Sequence, residues 1–162
     1  MGEGCNVVFA AGRPVKGKEK MKSQSKRIHK TTLRVTFADV DMAGIVYTQR
    51  FADYILRGWE EYFRAIGIPW ESYVAGDMIQ GLPVIRLALH FKSPARCGDE
   101  IDIITRITKI TRRRIYFKFE LFHGGEGRLL ATGALVATAF DSHCKPTSIP
   151  DFILQAIDGK KK

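Results

Sequence analysis

Leu33, Val35 and Phe37 alternate with Thr32, Arg34 and Thr36, the period of two that turns one side of a strand toward a core and the other toward water. This strand is predicted to stop in the turn-rich stretch 38–44. From Ile45 the period changes. Tyr47, Phe51, Tyr54, Ile55, Trp59, Tyr62, Phe63 and Ile66 recur at steps of three and four, which lines them along one face of a helix of about five turns. Gly67 and Pro69 end it. A stripe this rich in aromatic side chains must be covered, and a sheet is what the remaining sequence offers.

Ile85, Leu87, Leu89 and Phe91 alternate with Val84, Arg86, Ala88 and His90, and Ser93–Gly98 reads as a loop. Ile101, Ile103 and Ile107 share one parity of the next strand, and Ile115, Phe117, Phe119 and Leu121 share one parity of the strand after it. Gly124, Gly125 and Gly127 supply a hairpin turn in which positive φ is tolerated, and 128–140 is the returning strand. Residues 150–157 are predicted to close the chain with a short helix, with Pro150 in its first turn. One long helix set among long strands with hairpin connections, and no β-α-β alternation, predicts an antiparallel α+β domain. A long helix wrapped by a curved antiparallel sheet of about five strands is the hot-dog fold.

The chain has 162 residues, enough for one domain with a single core and too few for a second. No run of 18 apolar residues occurs, so no helical membrane span is expected. The net charge of +9 suggests nucleic acid until it is located. Residues 1–30 hold eight Lys/Arg against Glu3 and Glu19, and Lys160, Lys161 and Lys162 account for the rest, so the body between them is neutral. A basic nucleic-acid-binding face is therefore not expected. We expect a basic, disordered arm at 1–30, a folded domain at 31–158 and a basic tail at 159–162. Val7–Ala11 is apolar but precedes the positive charges, the wrong order for a secretory signal. An organellar presequence, or translation from a start upstream of Met21, is the other reading of the leader. Cys5, Cys97 and Cys144 are odd in number and lack paired spacing, and no Cys/His pattern with zinc spacing occurs. We expect a cytoplasmic protein with reduced thiols, no metal and no cofactor.

The segment Phe37-Ala38-Asp39-Val40-Asp41-Met42-Ala43-Gly44-Ile45-Val46-Tyr47, followed by Phe51 and the aromatic helix, resembles the signature of the 4-hydroxybenzoyl-CoA thioesterase-like hot-dog proteins. Gly81-Leu82-Pro83-Val84 and Phe91-Lys92-Ser93-Pro94-Ala95-Arg96-Cys97-Gly98-Asp99 are similar to that family's approach to its second strand and to its R-P-A-R-x-G-D turn. The resemblance spans about residues 33–141 and implies a catalytic carboxylate at Asp41. Chemistry agrees, because thioester hydrolysis needs a group that deprotonates water or attacks the carbonyl, and a carboxylate does either. It also needs donors for the oxyanion. The helix start near Tyr47 offers unpaired N–H groups and the positive end of a dipole, and the resemblance puts the polarising amide at Thr48. Asp41, Thr48 and Tyr47 are thus the candidate catalytic residues. Asp39 is assigned to capping, as expected of Asp before a helix. Relatives continue after the Tyr with an aromatic residue or His, whereas this chain has Thr48-Gln49-Arg50-Phe51; a His-assisted mechanism and an acyl preference are not carried over.

Arg112, Arg113 and Arg114 form the one basic cluster of the neutral body. The resemblance implies contact with the phosphates of coenzyme A, which arginine's planar fork suits; the alternative is a solvated hairpin end. Regular alternation would put Arg113 on the opposite face from the other two. His29 in the arm, His90 opposite the core parity, His123 at the hairpin and His143 in a late loop have no acid or nucleophile at a telling spacing. The function expected is an acyl-CoA thioesterase, with coenzyme A part of the substrate. An acyl-carrier-protein thioesterase and a non-catalytic acyl-CoA-binding regulatory module are the alternatives. The resemblance further implies a homodimer or homotetramer that joins two sheets across a two-fold axis.

Overall fold

The computed structural model describes residues 26–70, 81–141 and 143–159. The expected arm up to residue 25 and the tail from residue 160 lie outside them. Five strands, β1 (Ile28–Arg34), β2 (Val84–Phe91), β3 (Glu100–Ile110), β4 (Arg114–His123) and β5 (Leu129–Thr138), form one antiparallel sheet in the order β1-β3-β4-β5-β2. Helix α1 (Arg50–Ala65) lies across one face, and a shorter helix, α2 (Asp151–Asp158), closes the chain.

The register explains how the core is made. Ile103 stands opposite Leu121, Thr105 opposite Phe119 and Ile107 opposite Phe117, so one parity of β3 meets one parity of β4 on a single buried face. From the helix, Phe51, Tyr54, Ile55, Trp59, Tyr62 and Phe63 are buried against that face. Their spacing follows the helical repeat, and the rings meet edge to face, as at Trp59–Phe117 and Tyr62–Phe117. Gly58 lets the helix approach closely: a Cβ there would stand 2.7 Å from Cγ2 of Ile103. The Gly58 carbonyl accepts a hydrogen bond from the buried Thr105 hydroxyl at 3.2 Å.

The antiparallel α+β hot-dog fold is the one expected, and four local expectations need correction. Strand β1 begins at Ile28 rather than near Thr31, so His29 belongs to the sheet and not to the arm. An edge strand that pairs Lys30 with Ile104 and Ile28 with Arg106 is held by backbone bonds, and its polar side chains leave no apolar alternation to read. Phe37 is 86% exposed in a single 3-10 turn, Phe37–Asp39, because the chain leaves the sheet after Val35. Tyr47 is 41% exposed and precedes the helix, whose first residue is Arg50. Ile85 and Phe91 are 47% and 46% exposed because β2 is an edge strand with no neighbour beyond it.

Candidate active site

The loop carrying Asp41 is closed on itself. Val40 and Val46 form a bridge, the Asp41 amide donates to the Ile45 carbonyl at 2.9 Å, and the Gly44 amide donates to the Asp41 carbonyl at 2.9 Å. Gly44 takes φ +72°, a conformation that favours glycine. Side-chain Oδ1 of Asp41 accepts the Ala43 amide at 2.8 Å. Asp41 therefore stabilises its own turn, the capping behaviour that the sequence suggested for Asp39 alone. Its Oδ2 has no partner among the described residues, and the side chain is half-buried. One carboxylate oxygen is engaged by the turn while the other is unpaired among the described residues.

Two further anchors place this loop. Ile45 bridges Arg96 and the Val46 amide donates to Ala95 at 2.9 Å, tying it to the turn before β3. That turn is built by the Asp99 side chain, which accepts the Arg96 amide at 2.8 Å, and by Gly98 at φ +91°. On the other side, the Tyr47 amide donates to the Asp39 carbonyl at 2.9 Å. The chain then enters α1 through Thr48 and Gln49. Arg50 N–H bonds to the Tyr47 carbonyl at 2.9 Å, whereas the Thr48 and Gln49 amides have no acceptor among the described residues. These are the orphan donors of a helix start, at the positive end of the dipole.

Beside them lies an open cavity of about 270 Å³ lined by Ile45, Val46, Thr48, Phe51, Phe91, Lys92, Ser93 and Pro94. Phe51 and Phe91 meet edge to face there, with centroids 5.4 Å apart. The sequence reading places Lys92 and Ser93 only in the turn motif before β3; they join this wall because the end of the edge strand β2 packs beside the helix in three dimensions. Of the three candidate catalytic residues Thr48 lines this cavity, whereas Asp41 and the exposed Tyr47 do not.

Asp39 caps its own 3-10 turn rather than the long helix it is expected to cap. Its Oδ2 accepts the amide and hydroxyl of Thr36 at 2.8 and 2.7 Å, and its Oδ1 stands 3.5 Å from Nε of Arg50. Burial pushes its pKa up, but the Thr36 hydrogen bonds, the Tyr54 hydroxyl and the Arg50 charge outweigh that and hold it below the usual carboxylate range. The Tyr54 phenol is buried without a hydrogen bond of good geometry; its burial and the adjacent Asp39 charge raise its pKa well above the ordinary tyrosine value.

The arginine cluster is not near Asp41 within one chain. Arg112 and Arg113 form the turn closing the far end of β3, whereas the Asp41 loop adjoins the turn before its first residue, roughly 35 Å away at about 3.3 Å per strand residue. The cluster is not a regular strand either. Arg112 and Arg113 bend, so all three guanidinium-bearing residues line one open cavity of about 390 Å³ with Thr111 and Tyr116, against the expected split between faces. His123 does have an acid: Asp99 lies 3.5 Å from its Nε2, while its Nδ1 accepts the Glu126 amide at 3.1 Å. Their separation by 24 positions hid the pair from the sequence. Among the described residues no group of three or more His, Cys, Asp or Glu side chains could hold a metal ion, and no helix is long and apolar enough to cross a membrane.

Comparison with known proteins identifies the family and the fold. The sequence pattern of the thioesterase-like superfamily fits residues 35–157. The 1,4-dihydroxy-2-naphthoyl-CoA hydrolase of Synechococcus elongatus is 25% identical over 114 residues, 70% of this chain and 82% of that one. The chloroplastic acyl-acyl carrier protein thioesterase ATL3 of Arabidopsis thaliana is 27% identical over 125 residues, 77% of this chain; the match spans 65% of the Arabidopsis protein's length. Among solved structures, a 1,4-dihydroxy-2-naphthoyl-CoA thioesterase from Synechocystis superposes with a TM-score of 0.75 at 22% identity, covering 80% of this chain and 95% of that one, which shows the shared fold. The Asp41 loop, the unpaired amides that follow it and strands β2 to β5 lie inside the matched region, and the chain belongs to the thioesterase-like superfamily, on the hot-dog fold.

Proposed function

We propose that this chain hydrolyses acyl-CoA thioesters, with Asp41 as the base or nucleophile and the amides at Thr48 and Gln49 as oxyanion donors. The observation that carries it is that the loop leading into α1 holds a carboxylate with one oxygen unpaired among the described residues, followed directly by two unpaired amides at the head of that helix, one of them, at Thr48, on the wall of an open cavity. A thioester carbonyl placed between them meets a nucleophilic or basic oxygen on one side and hydrogen-bond donors on the other. The donors gain strength as negative charge develops on the carbonyl oxygen, which is the differential stabilisation that accelerates a reaction.

The site is completed by a second copy. The sheet has two edges, and they differ: β1 exposes Lys30, Thr32 and Arg34 with Ile28 at its start, whereas β2 exposes two large apolar side chains, Ile85 and Phe91, beside Arg86 and His90. An unpaired edge with apolar side chains is the one to pair. Antiparallel pairing of β2 with its copy across a two-fold axis reverses the ends. The start of β2 adjoins the arginine turn, since the Thr138 amide donates to Pro83 at 3.0 Å and the Thr138 hydroxyl to Arg113 at 3.0 Å. The end of β2, at Phe91, adjoins the cavity beside Thr48. The two-fold therefore brings the arginines of the partner to the end that holds Asp41, where they meet the phosphates of coenzyme A.

An acyl-carrier-protein substrate is the second reading, favoured by the similarity to the Arabidopsis thioesterase. Both are tested by release of free thiol from a panel of acetyl-, hexanoyl-, decanoyl- and benzoyl-CoA and the matching acyl-carrier proteins. We expect turnover of at least one acyl-CoA and a loss of kcat of about 10² or more in Asp41→Asn with binding retained. Near-wild-type turnover in Asp41→Asn would sink the assignment, and hydrolysis of the carrier-protein thioesters alone would select the second reading.

A further inference from the structure

Asp39 joins three pieces of chain at the stem of the Asp41 loop. Its carboxylate holds Thr36, at the end of the first strand's extension, through two hydrogen bonds, and Arg50, the first residue of α1, through an ion pair. Its carbonyl holds the Tyr47 amide. Arg50 returns to the same turn, donating to the Ala38 carbonyl at 3.2 Å, and reaches Asp53 at 3.1 Å. The Asp39 side chain is 14% exposed, while a polar cavity of about 250 Å³ lined by Thr36, Arg50, Asp53, Tyr54 and Arg57 opens beside it.

Arg50 makes this arrangement unusual. A cation in the first turn of a helix faces the positive end of the dipole and is disfavoured there. What keeps it in place is Asp39 on one side and Asp53 on the other. The Asp41 loop is itself closed by bonds between 41 and 45, so its aim depends on its stem, and the stem is fixed at Asp39–Tyr47 and Val46–Ala95. Displacing a reacting group by about 1 Å costs on the order of 10²-fold in rate.

We propose that Asp39 is a positioning residue for the thioester reaction, clamping Arg50 and the 3-10 turn so that the Asp41 carboxylate is aimed at the free amides of Thr48 and Gln49. This rests on the reading of Asp41 given above. Asp39 touches no substrate; it acts through Asp41, and that dependence separates it from a residue that only supports the fold.

The test is a double-mutant cycle in the full-length protein, with benzoyl-CoA or decanoyl-CoA, whichever is turned over faster, as the probe. Asp39→Ala is expected to lower kcat by about 30-fold or more with KM held within about threefold. Asp39→Asn, whose amide oxygen still accepts from Thr36 but cannot neutralise Arg50, is expected to lose about tenfold in kcat. In the Asp41→Asn background, Asp39→Ala should cost no more than about threefold further, because parts of one catalytic unit fail together rather than additively. If Asp39→Ala does not fold, as judged by circular dichroism, Asp39→Asn and Arg50→Gln carry the same comparison. Wild-type kcat in the Asp39 variants while Asp41→Asn is inactive overturns this inference alone, as does an undiminished Asp39 effect in the Asp41→Asn background. Full turnover in Asp41→Asn overturns the reading of Asp41 and this inference with it.

Discussion

Gly58 of the helix rests directly on Thr105 of the central sheet: its carbonyl takes the Thr105 hydroxyl at 3.2 Å, and a Cβ on it would stand 3.2 Å from that hydroxyl oxygen and 2.7 Å from Cγ2 of Ile103. The contact satisfies a buried hydroxyl that would otherwise cost stability. It also sets how near the helix axis comes to the sheet. Gly58→Ala gains about 0.5–1 kcal/mol of helix propensity but overpacks a β-branched neighbour at a cost of about 1–3 kcal/mol. We expect a net loss of about 1–2 kcal/mol in urea denaturation, with kcat per folded molecule changed little.

Asp102 links the edge strand to its neighbour, accepting from the Thr32 hydroxyl at 2.6 Å and pairing with Lys30 at 2.9 Å. The Thr32 hydrogen bond first, then the Lys30 hydrogen bond, hold its carboxyl below the ordinary aspartate value. A carboxylate whose pKa is lower folded than unfolded stabilises the fold above its unfolded pKa, near 3.9, and that contribution disappears as pH falls through the folded value. Asp102→Asn should therefore lower stability at pH 7 by roughly 1 kcal/mol and flatten the pH dependence below about pH 4. Denaturation midpoints measured from pH 7 down to pH 3 check it; parallel curves for the two proteins would contradict it.

Replacing Arg112, Arg113 and Arg114 together by Ala is expected to raise KM for acyl-CoA about tenfold or more while leaving KM for a short acyl-pantetheine nearly unchanged. Only the nucleotide carries the phosphates that guanidinium groups grip. Equal losses on both substrates would assign the cluster to the fold, where Arg112 already donates to Ser148 at 3.1 Å.

Pairing along β2 predicts a particle of at least twice the 18.3 kDa chain mass in light scattering, with turnover and association lost together on dilution. A fully active species of single-chain mass would contradict both the shared sheet and the shared site.

Most of the fold could be read in the sequence wherever one face of an element is buried and the other wet. Ile115, Phe117, Phe119 and Leu121 kept their parity because β4 lies mid-sheet with the helix on one side. The reading weakened at edges and stems. Phe37 continues the alternation of Leu33 and Val35, yet the chain has already turned out of the sheet, and period alone carries no notice of where pairing stops. Tyr47 fits the helical spacing by coincidence with a loop whose end the helix follows. For the candidate site, the motif singled out Asp41, while the ties from Asp39 to Arg50 and from His123 to Asp99 could not be read, since neither has a diagnostic spacing.

The opposite placement of the Asp41 loop and the arginine turn at the two ends of β3 has a genetic consequence. On the proposed site shared between two chains, two alleles, one carrying Asp41→Asn and the other lacking the three arginines, damage different halves of it. Each homodimer is then defective at both of its sites. A mixed dimer holds one site with both defects and one with neither, so random reassortment of equal amounts restores about one quarter of the sites. Assayed with acyl-CoA well below the KM of the arginine variant, the two variants unfolded together and refolded as a mixture would regain activity above the mean of the two alone, and co-expression from two plasmids would show the same rescue in a living cell.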